Sequence, residues 1–146
     1  MEGSVVHTAT SAKASFRRTF SAAHRIWNDR SPCKNVHGHN YKVLVQVEVP
    51  RSQLTAEGFS IPFGEIKGTI DQLDHCLILH HDDPLAEQFE NLGVKIAWSR
   101  DMPSTENVAQ QLADDIRKLL PGQGIVYVCV NEIGRASCRE RVLDHV

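Results

Sequence analysis

The sequence predicts an α+β domain in which an antiparallel sheet carries helices on one face. Strand and helix patterns follow one another in the order strand, strand, helix, helix, strand, and the chain contains no internal repeat. A chain of 146 residues is long enough to bury roughly two thirds of its unfolded surface, so it can fold around one hydrophobic core. We therefore expect one domain over residues 14–132.

Two strands are predicted from the alternation of side chains. Bulky and small residues alternate over residues 14–23, and apolar residues occupy the odd positions of residues 41–49. Turn-forming residues at 28–34 separate the two segments. The strands should therefore be antiparallel neighbours, with the end of the first facing the beginning of the second.

The later elements are predicted from helical spacing and from end signals. Apolar residues at helical spacing predict a first helix that begins near Gly64. Ser104 or Thr105 is a suitable N-cap for a second helix, whose apolar stripe extends to Leu119. A run of β-branched residues then predicts a buried final strand that ends at Glu132.

Three other segments carry weaker signals. Residues 85–92 could form a short helix ended by Gly93, and residues 94–98 a short strand. Residues 1–13 are small and polar and show no periodicity, so this segment is predicted to be disordered.

The composition favours small-molecule chemistry in the cytoplasm. The 16 basic and 18 acidic residues give a net charge of −2 and form no long blocks, so neither nucleic acid nor an anionic membrane is an expected partner. No apolar run approaches the roughly 20 residues of a membrane span, and the N-terminus lacks the hydrophobic centre of a signal peptide. The four cysteines form no CxxC pair and should be thiols.

A stretch rich in potential metal ligands follows the predicted turn. Cys33 precedes His37 and His39, and a strand that begins at His37 would place both imidazoles on one face. The predicted strand pairing adds His24 beside them. Three imidazoles suit Zn²⁺ and leave a fourth position for water or substrate; alternatively, these are strand-end histidines and one core histidine. The histidine pair at 80–81 lies in an acidic turn and is expected to be exposed.

Four further residues could take part in chemistry, and each has a structural alternative. Cys33 is either a small buried residue or a thiolate activated by a nearby cation. Asp74 and His75 are either surface residues or a carboxylate that orients a proton carrier. Glu132 is either the solvated end of a strand or a carboxylate that binds a polar ring.

Several short motifs occur along the chain in one order. They are Phe20-Ser-Ala-Ala-His24-Arg, Cys33-x-x-x-His37-Gly-His39-Asn-Tyr, Gly64-x-Ile-Lys67, Leu73-Asp-His75, Pro103-Ser-Thr-Glu-Asn107 and Val130-Asn-Glu132. Together they cover roughly residues 16–132 and closely resemble the 6-pyruvoyl-tetrahydropterin synthase and 6-carboxy-tetrahydropterin synthase family, the second of which acts in the queuosine pathway.

The resemblance implies a tunnelling fold. In that fold a four-stranded antiparallel sheet carries two helices on one face, and trimers close into a β-barrel. Two trimers stack as a homohexamer, with active sites between subunits.

The resemblance also implies a zinc-dependent lyase that acts on 7,8-dihydroneopterin triphosphate. One outcome is side-chain cleavage to 6-carboxy-5,6,7,8-tetrahydropterin with loss of acetaldehyde and triphosphate, and the other is triphosphate elimination to the 6-pyruvoyl product. The Asp82-Asp83-Pro-Leu stretch and the Pro103-Ser-Thr-Glu-Asn107 version of the pocket resemble bacterial members of the family, which favours the carboxy-forming enzyme. A non-catalytic oligomer that binds pterin or metal is a third alternative. The implied roles are Zn²⁺ binding by His24, His37 and His39, proton abstraction by Cys33 with Asp74 and His75 as relay, and substrate binding by Ser104, Thr105, Glu106 and Glu132.

Two stretches depart from the family pattern. Pro62-Phe63 stands where the family usually has an Asp-Phe pair. The string from Gly134 to Val142 resembles the translation of a sequencing-adapter read-through. We therefore hypothesise that residues 133–146 are not native sequence.

Overall fold

The computed structural model describes residues 3–56, 61–122 and 124–133, together with the backbone of residues 141–145. Three strands come first, helices and strands then alternate through the middle of the chain, and two strands come last. The strands are β1 (Gly3–His7), β2 (Ser11–His24), β3 (His37–Pro50), β4 (Cys76–His80), β5 (Ile96–Ser99), β6 (Ile125–Ile133) and β7 (Arg141–His145), and the helices are α1 (Phe63–Asp71), α2 (Ala86–Asn91) and α3 (Thr105–Arg117).

The long antiparallel pair of β2 and β3 forms the centre of the sheet. Each strand has 14 residues, and the register runs from Ser11 opposite Pro50 to His24 opposite His37. The predicted antiparallel pairing of these two strands is confirmed. Strand β3 begins at His37, the residue at which the predicted strand had to begin for His37 and His39 to share one face. The turn between them includes a short 3₁₀ segment, Pro32–Lys34.

The sheet differs from the expected four-stranded antiparallel one. The described strands form a seven-stranded sheet in the order β5-β4-β2-β3-β6-β7, with β1 also paired with β2. It is mixed, because β4 lies parallel to both β2 and β5. Four of the five residues of β4 are buried, and such a continuous apolar run lacks the alternation that identifies a strand in sequence.

The expectation of two helices is also incomplete, because the described residues contain a third, the six-residue α2. The weak helical signal at residues 85–92 corresponds to α2, and it ends before Gly93, which has a φ of 75° that glycine adopts readily. The longest helix, α3, has 13 residues. Within the described part of the chain, no helix is both long and apolar enough to cross a membrane.

The hydrophobic core lies between one face of the sheet and helices α1 and α3. The register aligns Phe16, Val45 and Val128 in one row across β2, β3 and β6, and all three are buried. The predicted N-cap of α3 is confirmed at Ser104, whose hydroxyl accepts a hydrogen bond from the Asn107 N–H at 3.2 Å. The buried helix residues are Ile66 and Ile70 of α1 and Thr105, Val108, Ala109, Leu112, Ala113 and Ile116 of α3.

The N-terminal segment is more ordered than the sequence predicts. Of residues 1–13, which carry no periodic signal, Gly3–His7 form β1, and β2 already begins at Ser11. Every residue of β1 is exposed. Backbone hydrogen bonds to β2 therefore hold this strand rather than apolar burial, which explains why its sequence gave no signal.

The two departures from the family pattern lie at element ends. Pro62 occupies the N-cap position of α1 and makes no side-chain capping bond there, whereas an aspartate at that position could cap the helix. Ile133 ends β6, residues 134–140 and 146 lie outside the described residues, and the backbone of 141–145 pairs with β6. The non-native origin of 133–146 stays a hypothesis.

A buried ion pair ties the end of β2 to the turn after β4. The Arg25 Nε donates to Asp83 Oδ2 at 2.7 Å, and the Leu85 N–H donates to Asp83 Oδ1 at 2.9 Å. The Asp83 side chain is fully buried and that of Arg25 is 13% exposed. Because Arg25 directly follows His24, this pair fixes the position at which β2 ends.

Replacing Asp83 by Asn should destabilise the protein by about 3–5 kcal/mol, because it leaves the buried Arg25 charge uncompensated. The measurement is urea-induced unfolding at a fixed protein concentration. Glu48→Gln is the matched control, since its ion pair with Lys13 is exposed and should contribute less than about 1 kcal/mol. Equal losses for the two variants would contradict the structural role of Arg25–Asp83.

Candidate active site

Three histidines continue the inward face of the sheet beyond the apolar core. His24 lies opposite His37, and Ala22 lies opposite His39, in the β2–β3 register. Because side chains alternate along a strand, all three imidazoles lie on the face that carries the helices. The row that follows contains Tyr41, which is fully buried. Beyond the apolar core, the three imidazoles therefore form a cluster that packs against the ring of Tyr41.

The Tyr41 ring contacts Phe20 and two of the three histidines. The Tyr41 ring stacks on Phe20 with centroids 4.7 Å apart and makes edge contacts with His24 at 6.1 Å and His39 at 5.8 Å. Burial raises the pKa of the Tyr41 hydroxyl, and the nearby Glu132 carboxylate raises it further. Tyr41 therefore stays protonated and acts as a rigid support for the imidazoles.

The ligand atoms of the three histidines converge. His24 Nε2 and His37 Nε2 are 3.0 Å apart, and one ring nitrogen from each of His24, His37 and His39 lies within 4.8 Å of the others. Neutral imidazoles at such spacing are common Zn²⁺ ligands. The cluster could hold one metal ion, as predicted from the spacing of the histidines.

The hydrogen bonds of the opposite ring nitrogens indicate which atoms would face a metal ion bound by the cluster. His24 Nδ1 lies 2.6 Å from the Pro103 carbonyl oxygen, and His37 Nδ1 lies 2.7 Å from that of Asn35. A carbonyl can only accept, so both Nδ1 atoms carry protons and both Nε2 atoms present lone pairs. Two lone pairs 3.0 Å apart repel each other, and a cation between them would relieve that repulsion.

That cation is better supplied by a metal than by a proton. Burial lowers the pKa of His24, and the neighbouring imidazoles of His37 and His39 lower it further, against the opposing effects of the Pro103 carbonyl and Glu132. The imidazolium form of His24 is thus disfavoured. The donor set fits a divalent ion bound by neutral imidazoles.

A carboxylate completes the cluster. Glu132 lies opposite Tyr41 in the β3–β6 register, and its Oε2 is 3.7 Å from His39 Nε2 while its Oε1 is 4.0 Å from His24 Nε2. The hydroxyl of the buried Thr105 donates a short hydrogen bond to Oε1. The first residue of α3 thus orients the carboxylate at the end of β6.

A cavity of about 350 Å³ opens over this cluster, a size that suits a small organic ligand. Cys33 lies in the 3₁₀ turn before β3, where its N–H donates to Ser31 Oγ at 3.1 Å. All four residues predicted to bind substrate line the cavity. The lining residues are His24, Ile26, Asp29, Ser31, Cys33, His37, His39, Ser104, Thr105, Glu106 and Glu132.

Asp74 and His75 are not among the described residues that line this cavity. His75 lines a separate open depression of about 560 Å³, next to Gly38 and Asn40 on the outward face of the sheet. Cys33 and His75 therefore line different cavities of the same chain. The predicted relay from Cys33 to Asp74 and His75 stays a prediction.

Asp74 and His75 are nevertheless held firmly. The Ser21 N–H donates to Asp74 Oδ1 at 2.9 Å, the His75 N–H donates to the Ser21 carbonyl at 2.7 Å, and His75 Nδ1 lies 2.8 Å from Asp74 Oδ2. His75 has a φ of 57°, an unusual value for a residue with a side chain, and its imidazole is 82% exposed. A strained, anchored and exposed imidazole is typical of a functional position.

The family can now be stated. A family model described as 6-pyruvoyl tetrahydropterin synthase matches residues 13–141. The chain belongs to this family.

Named relatives in the family include both product types. A 6-carboxy-5,6,7,8-tetrahydropterin synthase of Rickettsia felis is 37% identical over 119 residues, covering 76% of this chain and 85% of that protein. The 6-pyruvoyl tetrahydrobiopterin synthase of Homo sapiens is 31% identical over 134 residues, covering 80% and 81%.

Solved structures confirm the α+β fold of the family. An uncharacterized protein of Wolinella succinogenes superposes with a TM-score of 0.67 at 20% identity, covering 93% of this chain and 99% of that one. The 6-pyruvoyl tetrahydropterin synthase of Plasmodium falciparum gives a TM-score of 0.57 at 18% identity, with the same coverage.

Sequence reasoning missed several groups that build the site of this family member. The carbonyls of Asn35 and Pro103 have no sequence signal, because every residue carries one. The opposite charges of Arg25 and Asp83 are the only sequence feature that could have suggested their ion pair. In the second histidine cluster, at residues 80–82, His80 is half-buried whereas His81 and Asp82 are exposed, so the predicted exposure is confirmed for His81 but not for His80. The His80 Nδ1 accepts a hydrogen bond from the Asp82 N–H at 3.1 Å.

Stability should depend on the ionisation of Asp74. The Ser21 N–H and then His75 lower the pKa of Asp74, so its contribution is present above the unfolded pKa of about 3.9 and is lost as the pH falls through the lower folded value. We expect the free energies of unfolding of the wild type and Asp74→Asn to differ at neutral pH and to converge in acid. Urea unfolding between neutral and acidic pH measures this. A difference that does not change with pH would contradict the assignment.

Proposed function

We propose that this protein converts 7,8-dihydroneopterin triphosphate to 6-carboxy-5,6,7,8-tetrahydropterin in a zinc-dependent reaction that releases acetaldehyde and triphosphate. The product is an intermediate of queuosine biosynthesis. The observation that carries the proposal is the convergence of three imidazoles, Cys33 and Glu132 on one cavity. The name of the Rickettsia felis relative supports the carboxy product, and the human relative makes the 6-pyruvoyl product the second candidate.

The residues of the cavity suit distinct tasks on such a substrate. Zn²⁺ on His24, His37 and His39 would supply Lewis acidity to the hydroxyls of the C6 side chain. Glu132 accepts hydrogen bonds from the N–H groups of the pterin ring, because an ionised carboxylate offers acceptors only. Cys33 removes a proton from the side chain as a thiolate, which a nearby cation stabilises.

We further propose that Asp74 and His75 act on the site of a neighbouring subunit in a homohexamer made of two trimers. Their support is geometric: His75 is exposed, is held by hydrogen bonds to Ser21 and Asp74, and lines a depression other than the cavity that contains Cys33. A proton relay requires hydrogen-bonding distance. An adjacent copy of the chain would provide that distance where a single subunit does not.

The first test is conversion of 7,8-dihydroneopterin triphosphate by the zinc-loaded protein, with products identified by mass spectrometry. We expect the carboxypterin and acetaldehyde. Cys33→Ala should retain the metal and lose at least about 100-fold in rate, as expected for a lost general base, whereas His37→Ala should lose the metal itself. The 6-pyruvoyl product would favour the second candidate.

Absence of conversion by the metal-loaded oligomer would contradict both enzymatic functions. In that case pterin binding without turnover would support a non-catalytic pterin-binding oligomer.

The shared site can be tested by mixing two inactive variants. Cys33→Ala and His75→Ala are each expected to be inactive, but unfolding and refolding them together creates hybrid oligomers. Some interfaces then combine an intact Cys33 with an intact His75, so part of the activity should return. Refolding each variant alone is the control. Hybrids that stay inactive would show that the two residues do not act across an interface.

A further inference from the structure

We propose that Asn107 is a positioning residue for the metal site: its side chain fixes the Pro103 carbonyl, which in turn orients the imidazole of His24. This inference rests on the proposed function, because it takes the three histidines as metal ligands. It goes beyond that function by giving a role in metal binding to a residue that is not among the described residues lining the cavity.

His24 depends on one main-chain carbonyl for its orientation. Its Nδ1 donates to the Pro103 carbonyl oxygen at 2.6 Å, and both residues are buried. This bond places the proton on Nδ1 and leaves the lone pair on Nε2, which lies 3.0 Å from the Nε2 of His37. A metal ligand whose second ring nitrogen is held in this way keeps its tautomer and its ring orientation. A group that fixes the Pro103 carbonyl therefore fixes one of the three candidate ligands.

A tight turn sets the direction of this carbonyl. The Ser104 N–H donates to the Met102 carbonyl oxygen at 2.7 Å, and a bond between residues i and i+2 is that of a γ-turn, here centred on Pro103. The peptide groups before and after Pro103 are thereby held in a fixed relation to each other. A single main-chain hydrogen bond is a modest restraint, so a second donor to the Met102 oxygen would strengthen the turn.

Asn107 provides this second donor. Its Nδ2 donates to the Met102 carbonyl oxygen at 2.8 Å, and its main-chain N–H donates to the Ser104 hydroxyl at 3.2 Å. A carbonyl oxygen has two lone pairs and can accept both bonds. One residue of α3 thus binds the chain on each side of Pro103, and the carbonyl that faces His24 is fixed with the turn.

The stability of the helix does not explain why an amide stands at this position. Asn107 is the third residue of α3, where an acidic side chain would interact favourably with the helix dipole. The N-cap is already supplied by Ser104, and asparagine has a lower helix propensity than most residues. The donor group of the amide therefore acts on the turn rather than on the helix.

The same face of α3 also holds the beginning of this loop. Gln111 follows Asn107 by four residues and lies on the same face of the helix. Its Oε1 accepts a hydrogen bond from the Arg100 N–H at 3.0 Å, and its Nε2 donates to the Trp98 carbonyl at 3.2 Å. Two amide side chains thus attach the segment between β5 and α3 to the helix, and that of Asn107 acts next to Pro103.

Two substitutions of Asn107 test the role through metal affinity. Asn107→Asp keeps the main-chain bond to Ser104 and suits the start of a helix, but an ionised carboxylate has no donor for the Met102 oxygen. Asn107→Ala removes the donor without adding a charge. We expect both variants to weaken Co²⁺ affinity about tenfold, the lower end of the range for groups that orient metal ligands. Competition with a chelator in the absence of pterin measures this on the full-length protein, and circular dichroism confirms that each variant is folded.

The sign of the change excludes a purely electrostatic effect. The negative charge that Asn107→Asp adds would by itself attract a cation. A loss of affinity in this variant therefore has to come from the geometry of the ligands.

A spectroscopic measurement identifies the histidine that moves. In the Co²⁺ protein, the Nδ1 protons of bound imidazoles give paramagnetically shifted NMR signals that disappear by exchange in D₂O. The hydrogen bond of His24 is buried, whereas that of His37 is exposed, so the His37 signal should exchange faster. We expect both Asn107 variants to shift one slowly exchanging signal and to leave the His37 signal in place.

Gln110→Glu is the matched control, because it makes the same amide-to-carboxylate change on α3 at a side chain that donates to Asp114 Oδ1 at 3.0 Å. It should leave the affinity and the NMR signals unchanged. Asn107 variants with wild-type affinity and signals would overturn the proposal. Variants in which all the shifted signals move together would also overturn it, because the whole site would then have rearranged rather than one histidine.

These measurements separate the positioning role from the proposed function, because no pterin enters them. A wild type that binds Co²⁺ with the expected dependence on Asn107, but does not convert 7,8-dihydroneopterin triphosphate, would support the positioning role and refute the enzymatic function. A wild type that converts the substrate while the Asn107 variants keep their affinity and signals would do the reverse. A wild type that binds no metal would refute both.

Discussion

The antiparallel register of β2 and β3 is the constraint on which the rest of the molecule depends. It aligns the inward residues of two 14-residue strands, so that the same alternation that buries Phe16 against Val45 also sets His24 opposite His37. A shift of one residue would turn every one of these side chains to the other face. Core and metal ligands are therefore specified together, and the burial of the core stabilises the geometry of the site.

The two faces of this strand pair have different chemistry. The inward face ends in imidazoles supported by Tyr41 and enclosed by the start of α3. The outward face carries the anchored Asp74–His75 pair beside Ser21. The sheet thus has a candidate binding cavity on one side and the exposed imidazole of His75 on the other.

The sequence predicted the parts of this structure that repeat a period. Alternation identified β2 and β3 and hence the histidine cluster, and helical spacing identified α3. Fold details without a period were missed: β4 is a continuous apolar run, and β1 is held by backbone pairing with every residue exposed. From the residues alone, Glu132 and Asp74 each had a structural alternative to a role in the site, because a lone carboxylate has no distinguishing pattern; resemblance to a family then implied specific roles for them.

The carbonyls that orient His24 and His37 have a consequence for mutation. They belong to the main chain of Pro103 and Asn35, and every amino acid supplies the same acceptor. No exchange of side chain at those positions deletes the bond; only a displacement of the backbone can do so. The orientation of two imidazoles is thus encoded in the path of the chain, which makes this part of the site robust to substitution at residues 35 and 103 and sensitive to insertions or deletions beside them.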